Sequence, residues 1–98
     1  VITEVARIDV RPGSEEAFEQ AVAEAIPVFL DAAGCRGIAL HRVVEHPRRY
    51  RLVVCWESVE HHTVTFRASD GFRQWRTLAG PHFATPPEVE HTYTVLSG

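Results

Sequence analysis

Ile2, Ala6, Ile8 and Val10 share one parity over the first ten residues, and the run is rich in β-branched side chains, so the chain opens on a strand. Arg11-Pro12-Gly13 ends it. Ser14 stands where a helix cap belongs, with Glu15 and Glu16 at the positive end of the helix that follows. From about residue 15 to 32, Phe18, Ala21, Val22, Ala25, Ile26, Phe29 and Leu30 recur at helical spacing. Pro27 conflicts with that pattern, because inside a helix it deletes one hydrogen bond and crowds the preceding turn. A kink or a break is expected there, and Gly34 closes the element.

A second strand is predicted over residues 36–45. His46-Pro47-Arg48 is turn chemistry, so the third strand, 50–57, returns as a hairpin. Its alternation puts Tyr50, Leu52, Val54 and Trp56 on one face, and Arg51, Val53, Cys55 and Glu57 on the other. Ser58 can cap a helical piece over 59–67, and Ser69 or Asp70 a second one over 71–78. A long connection through Gly80-Pro81 and Pro86-Pro87 leads to a last strand, 88–96, with Val89, His91, Tyr93 and Val95 on one face. The order β-α-β-β-α-β predicts an α+β, ferredoxin-like fold with a four-stranded antiparallel sheet. Right-handed crossovers put the helices on one face and leave the other bare, with apolar residues on it. A homodimer joined through the sheet faces is the simplest way to cover them.

At 98 residues the chain is expected to be one domain, 1–98. The net charge of −3 speaks against nucleic acid, which needs a basic stripe. Arg48, Arg49 and Arg51 cluster at a turn, but Glu45 and Glu57 flank them. Two cysteines, Cys35 and Cys55, make no disulfide framework, and no signal peptide is visible, so a cytoplasmic protein is expected. No apolar run is long enough for a membrane span.

The stretch CWESVEHHTVTFRASDGFRQWR carries the candidate chemistry. Trp56 can wall an aromatic ligand or simply fill the core. His62 can exchange a proton near neutral pH, whereas His61, a third of a turn away, is expected in solvent. Arg76 can hold an oxyanion, with Arg67 and Arg73 as competitors for that role. Phe66, Phe72 and Trp75 supply apolar walls, and His91 and Tyr93 can line the same chamber from the last strand. Six histidines invite a metal reading, but there is no His-Glu-x-x-His or Cys-x-x-Cys, and no metal site is expected. No glycine-rich phosphate loop or Gly-x-Ser-x-Gly elbow is present.

RPGSEEAF, AGCRGIAL, CWESVEHHTVTFRASDGFRQWRTLAGPHF and PPEVEH together resemble the antibiotic biosynthesis monooxygenase family of small dimeric α/β-barrel proteins. The resemblance implies direct reaction of a deprotonated, electron-rich aromatic with dioxygen, without metal, flavin or haem. Of the four working residues in such members, the Trp falls on Trp56 and the Arg on Arg76. The Tyr position holds His62, and the Asn position, four before the Trp, holds Leu52. Haem-degrading relatives carry a first-strand Asn and a late His ligand, where this chain has Ala6 or Arg7 and Arg76. The expectation is therefore a cofactor-independent monooxygenase acting on a phenolic or quinone-like molecule. His62 would be its base, Arg76 its oxyanion partner, and Trp56, Phe66, Phe72 and Trp75 its aromatic walls. A cofactor-free isomerase, cyclase or decarboxylase with the same pocket, or a non-catalytic metabolite-binding dimer, are the other readings.

Overall fold

The computed structural model describes residues 1–98. Four antiparallel strands, β1 (Ile2–Asp9), β2 (Cys35–Arg42), β3 (Arg49–Trp56) and β4 (Glu88–Thr92), form one sheet in the order β2-β3-β1-β4. Helices α1 (Glu15–Leu30) and α2 (Asp70–Ala79) cover one face. This is the α+β ferredoxin-like arrangement that the element order predicts.

The sequence alternation becomes the two faces of the sheet. Ala6, Ile8, Tyr50, Leu52, Val54 and Trp56 are buried beneath the helices with Phe18, Val22, Ala25 and Phe29 of α1. Register lines these residues into rows. His91, Glu4, Val54 and Ile38 form one row, and Val89, Ala6, Leu52 and Leu40 the next. On the opposite face Glu90, Val5, Val53 and Ala39 make a row, beside Glu88, Arg7, Arg51 and His41.

Several local expectations change. Ser14 makes no side-chain cap, and α1 begins through its backbone carbonyl, which accepts from Phe18 N at 2.8 Å. Pro27 neither breaks nor restarts α1, which runs on to Leu30, since the proline lies in the last turn, where few ladder bonds are left to lose. The last strand stops at Thr92, not Leu96. Its partner β1 starts at Ile2 and Thr92 pairs with Thr3, so the chain beyond runs out of neighbours. Tyr93, Val95 and Leu96 are consequently exposed.

The segment after β3 is not an α-helix. Ser58 caps it as expected, its Oγ accepting from His61 N. The turn then widens into a π-helical stretch, His61–Phe66, closed by Arg67 N donating to the carbonyl of His62, five residues back. Thr63, Val64 and Thr65 are β-branched and poor helix formers, and Thr63 Oγ1 donates to the Val59 carbonyl in competition with the regular ladder. His62 and Phe66 of this stretch are buried against Trp56, while Arg67 at its close is exposed. His61 is half-buried rather than solvated. Its Nδ1 lies 2.8 Å from Ser58 Oγ, and its ring lies against Gly34, whose φ of +82° and lack of a Cβ permit the approach.

Candidate active site

Sheet, α1, the π turn, α2 and the connection before β4 enclose a cleft of about 260 Å³. Ala6, Ile8, Leu52 and Val89 form its floor, and Phe29, Phe66, Phe72, Trp75, Phe83 and Pro87 its walls. Phe83 is held there by the Val10–Phe83 bridge and by Arg11 Nε donating to the Phe83 carbonyl. The polar lining is confined to Glu4, His62, Arg67 and Arg76. An apolar cavity with a few convergent polar groups is the usual form of a small-molecule site.

Of the residues singled out from sequence, His62, Arg76, Phe66, Phe72, Trp75 and Leu52 all line this cleft. Arg76 lies with its guanidinium carbon 5.9 Å from the Phe72 ring centroid and has no carboxylate partner. Arg67, its competitor, is also free of ion pairs and also lines the cleft. Arg73 pairs with Asp70 and takes no part.

Three placements differ from expectation. Trp56 is fully buried and does not border the cleft. It lies behind His62, rings stacked at 5.6 Å, and donates from Nε1 to Glu4 Oε1 at 2.9 Å. It cannot act as a stacking wall for a ligand, because the His62 ring occupies that side. His91 does not border the cleft either. It backs His62, with Nε2 2.9 Å from His62 Nδ1. Tyr93 is 73% exposed, past the end of β4, and does not line the chamber.

Glu4 is the residue that sequence reasoning missed. It occupies the inward parity of β1 between Ile2 and Ala6, and an acid in that position was the available signal. It is 4% exposed, and His91 faces it across the β1–β4 pairing. Glu4 Oε1 stands 3.3 Å from His62 Nε2. Trp56, Glu4, His62 and His91 thus form a continuous polar chain under the cleft.

Burial dominates the titration of this chain. It pushes the Glu4 carboxyl above the usual carboxylate range, opposed by the Trp56 N–H and by the positive charge of Arg67. It holds His62 down to about 4, assisted by the positive charges of Arg67 and His91. His62 is therefore a neutral imidazole at pH 7, and its contact with Glu4 is not an ion pair. Since Trp56 can only donate, Oε1 is an acceptor. The arrangement that satisfies every partner has His62 Nε2–H directed at Oε1 and Nδ1 accepting from His91. No group of three or more His, Cys, Asp or Glu side chains could hold a metal ion.

The fold and this cleft define a ferredoxin-like protein with a small-molecule chamber beneath its helices. The chain belongs to the antibiotic biosynthesis monooxygenase family, whose model matches residues 1–78. YczJ of Bacillus subtilis (strain 168) is 32% identical over 91 residues, spanning 93% of this chain and 96% of YczJ. A crystal structure from Bordetella bronchiseptica bearing the same family name is 54% identical, with a TM-score of 0.96 over 97% of each chain. SnoaB from Streptomyces nogalater, a cofactor-independent oxygenase, is similar in fold at 20% identity, with a TM-score of 0.81 over 98% of this chain and 94% of its own. No helix is long and apolar enough to cross a membrane.

Proposed function

We propose that this protein is a cofactor-independent monooxygenase acting on a phenolic or quinone-like aromatic molecule. The observation that carries this reading is one apolar cleft holding a buried acid–base pair, Glu4 and His62, together with two guanidinium groups, Arg67 and Arg76, that no carboxylate neutralises. The aromatic walls bind the flat substrate. The buried pair around His62 receives the phenolic or benzylic proton, and Arg76, with Arg67 beside it, holds the oxyanion. Ala6, Ile8 and Leu52 of the floor are almost fully buried whereas Arg67 and Arg76 are exposed, so the guanidinium–oxyanion attraction exceeds that in bulk solvent only where the bound ring displaces water from them. The electron-rich anion then reduces dioxygen. With an anthrone-type substrate one oxygen atom becomes the new carbonyl, and the other leaves as water with the two methylene hydrogens. Substrate supplies all the electrons, so no cofactor enters the balance. SnoaB supports this reading as a relative in fold.

Trp56 acts here as a positioning residue for Glu4 and His62. The protomers pair through their outer sheet faces, where Val5, Val53 and Ala39 form the central row. The 98 residues act as one domain, and Cys35 and Cys55 remain free thiols, as suits a reducing cytoplasm.

A second reading is favoured by Leu52, which lines the floor and offers no hydrogen bond where oxygenating relatives are expected to have an Asn. The same groups could then run a proton-transfer isomerisation or cyclisation. Oxygen uptake with an anthrone decides between them. Consumption of one dioxygen with a quinone that carries one new oxygen atom supports the monooxygenase, and rearrangement without uptake supports the isomerase.

A further inference from the structure

We propose that Glu4, through its Oε2 oxygen, is the group that takes the proton from the bound ligand, with His62 and Trp56 holding the carboxylate in place. This deepens the reading above and rests on the same cleft being the ligand site.

The carboxylate is held from one side only. Oε1 accepts from Trp56 Nε1 at 2.9 Å and faces His62 Nε2 at 3.3 Å. Oε2 has no protein partner, yet it is not among the sealed, unpartnered polar atoms, which are Arg7 Nε, Glu15 Oε1 and Arg51 Nη1. It therefore keeps some exposure, and the cleft is the one among the five described pockets that Glu4 borders. His62 is placed differently. Its Nδ1 is committed to His91, and its remaining nitrogen points at Glu4. A ligand hydroxyl over the floor meets a free carboxylate oxygen, but would have to compete with Oε1 for the imidazole.

The charges around Glu4 fit the role. His91 faces it from β4, His62 from the π turn and the charge of Arg67 from the residue that closes that turn; Arg76 of α2 lines the same cleft, to which α1 contributes only Phe29. Burial raises the proton affinity of the carboxylate and lowers that of the imidazole, and both directions favour proton transfer to the carboxylate. The transfer breaks the ligand O–H bond and forms an O–H bond on Oε2. The electron pair stays on the ligand oxygen, next to the arginines.

Proton uptake on binding 4-nitrophenolate tests this without any oxygen chemistry. At mildly alkaline pH the free ligand is anionic, so binding beside Glu4 forces a proton onto the carboxylate, because two negative charges in one buried site repel. Titration calorimetry in buffers of different ionisation enthalpy should read close to one proton taken up per ligand bound by the wild type. Glu4→Gln should abolish the uptake. His62→Gln, which keeps an N–H donor but cannot hold the proton, should retain it, as should Glu4→Asp. Should Glu4→Gln fail to fold, ¹³C-glutamate spectra of the wild-type complex should show one carboxyl resonance moving to the protonated position. Uptake lost in His62→Gln but kept in Glu4→Gln would transfer the role to His62. Absence of uptake in the wild type, or of binding at millimolar ligand, would overturn the proposal. Proton uptake without oxygen consumption on any phenol would remove the oxygenase reading and leave Glu4 as the base.

Discussion

Glu4 and His62 make opposite demands on stability, because both are buried away from the solvent that favours their charged forms. The His62 imidazole has an ordinary value of 6.5 and is held at about 4 in the folded protein. Between those values the unfolded chain binds a proton that the folded chain refuses. Folding stability due to this residue is thus present above pH 6.5 and is lost as pH falls towards 4, by about 3 kcal/mol in all. Glu4 works the other way. Its raised value means that its contribution is present below the ordinary carboxylate range and is lost as pH rises through the folded value. His62→Gln should therefore narrow the difference in urea midpoint between pH 7 and pH 4. Equal differences in the variant and the wild type would show that His62 is not a buried neutral imidazole.

Arg76 belongs to the same scale. Replacing Arg76 by Ala should lower turnover on the order of 10²-fold by removing the oxyanion partner, with a smaller loss if Arg67 substitutes for it. The kinetic measurement is kcat/KM for oxygen consumption, and an unchanged value would take Arg76 out of the reaction. His62, Phe66, Phe72, Trp75 and Arg76 share one cleft, as expected from the single stretch that carries them, but the family resemblance and not helical spacing set Arg76 apart from Arg67 and Arg73. Glu4 was not, since its partner Trp56 lies 52 residues away and only the β1–β3 pairing brings the two together. The error at Trp56 has a different source. Parity predicted its burial correctly, but whether a ring or a ligand covers it depends on His62, which the π turn lays over it.

At the scale of elements, the presence and order of the strands and of α1 followed from periods of two and 3.6, while the ends of β2 and β4 and the widened turn did not. Sequence patterns treat 59–67 as one helical piece, and the register shift arises from three β-branched residues and the Thr63 hydroxyl acting together. The length of β4 was also out of reach, because a strand ends where its neighbour ends, and Tyr93 falls opposite Ile2, the first residue of β1. The link between α1 and β2 sets the turn in place. Gly34 has φ +82°, and an added Cβ would sit 2.4 Å from the His61 ring. Gly34→Ala should therefore cost about 2 kcal/mol or more, from the left-handed backbone and the displaced imidazole together. The urea midpoint measures this, and a loss within a few tenths of a kcal/mol would mean that the turn adapts freely.

The whole molecule has one covered and one uncovered sheet face. Val5, Val53 and Ala39 run across the middle of the uncovered face, and Arg7 pairs with Asp9 and Glu88 towards one end. A charge at its centre should be tolerated by a monomer and refused by a sheet-to-sheet dimer, where it would be buried unpaired. Val53→Arg is thus expected to convert a dimer to a monomer in sedimentation equilibrium while leaving the circular dichroism spectrum intact. A wild-type monomer, or a variant that remains dimeric, would exclude this interface. The bare face was legible because both parities of β3 carry apolar residues.

The most direct test of the chemistry is an oxygen-electrode trace with the purified, chelator-treated protein and an anthrone. Expected are consumption of one dioxygen per substrate, appearance of the quinone, and a rate that falls on the order of 10²-fold in both Glu4→Gln and Arg76→Ala. A flat trace with every phenolic or quinol substrate, or full wild-type rates in both variants, would contradict it.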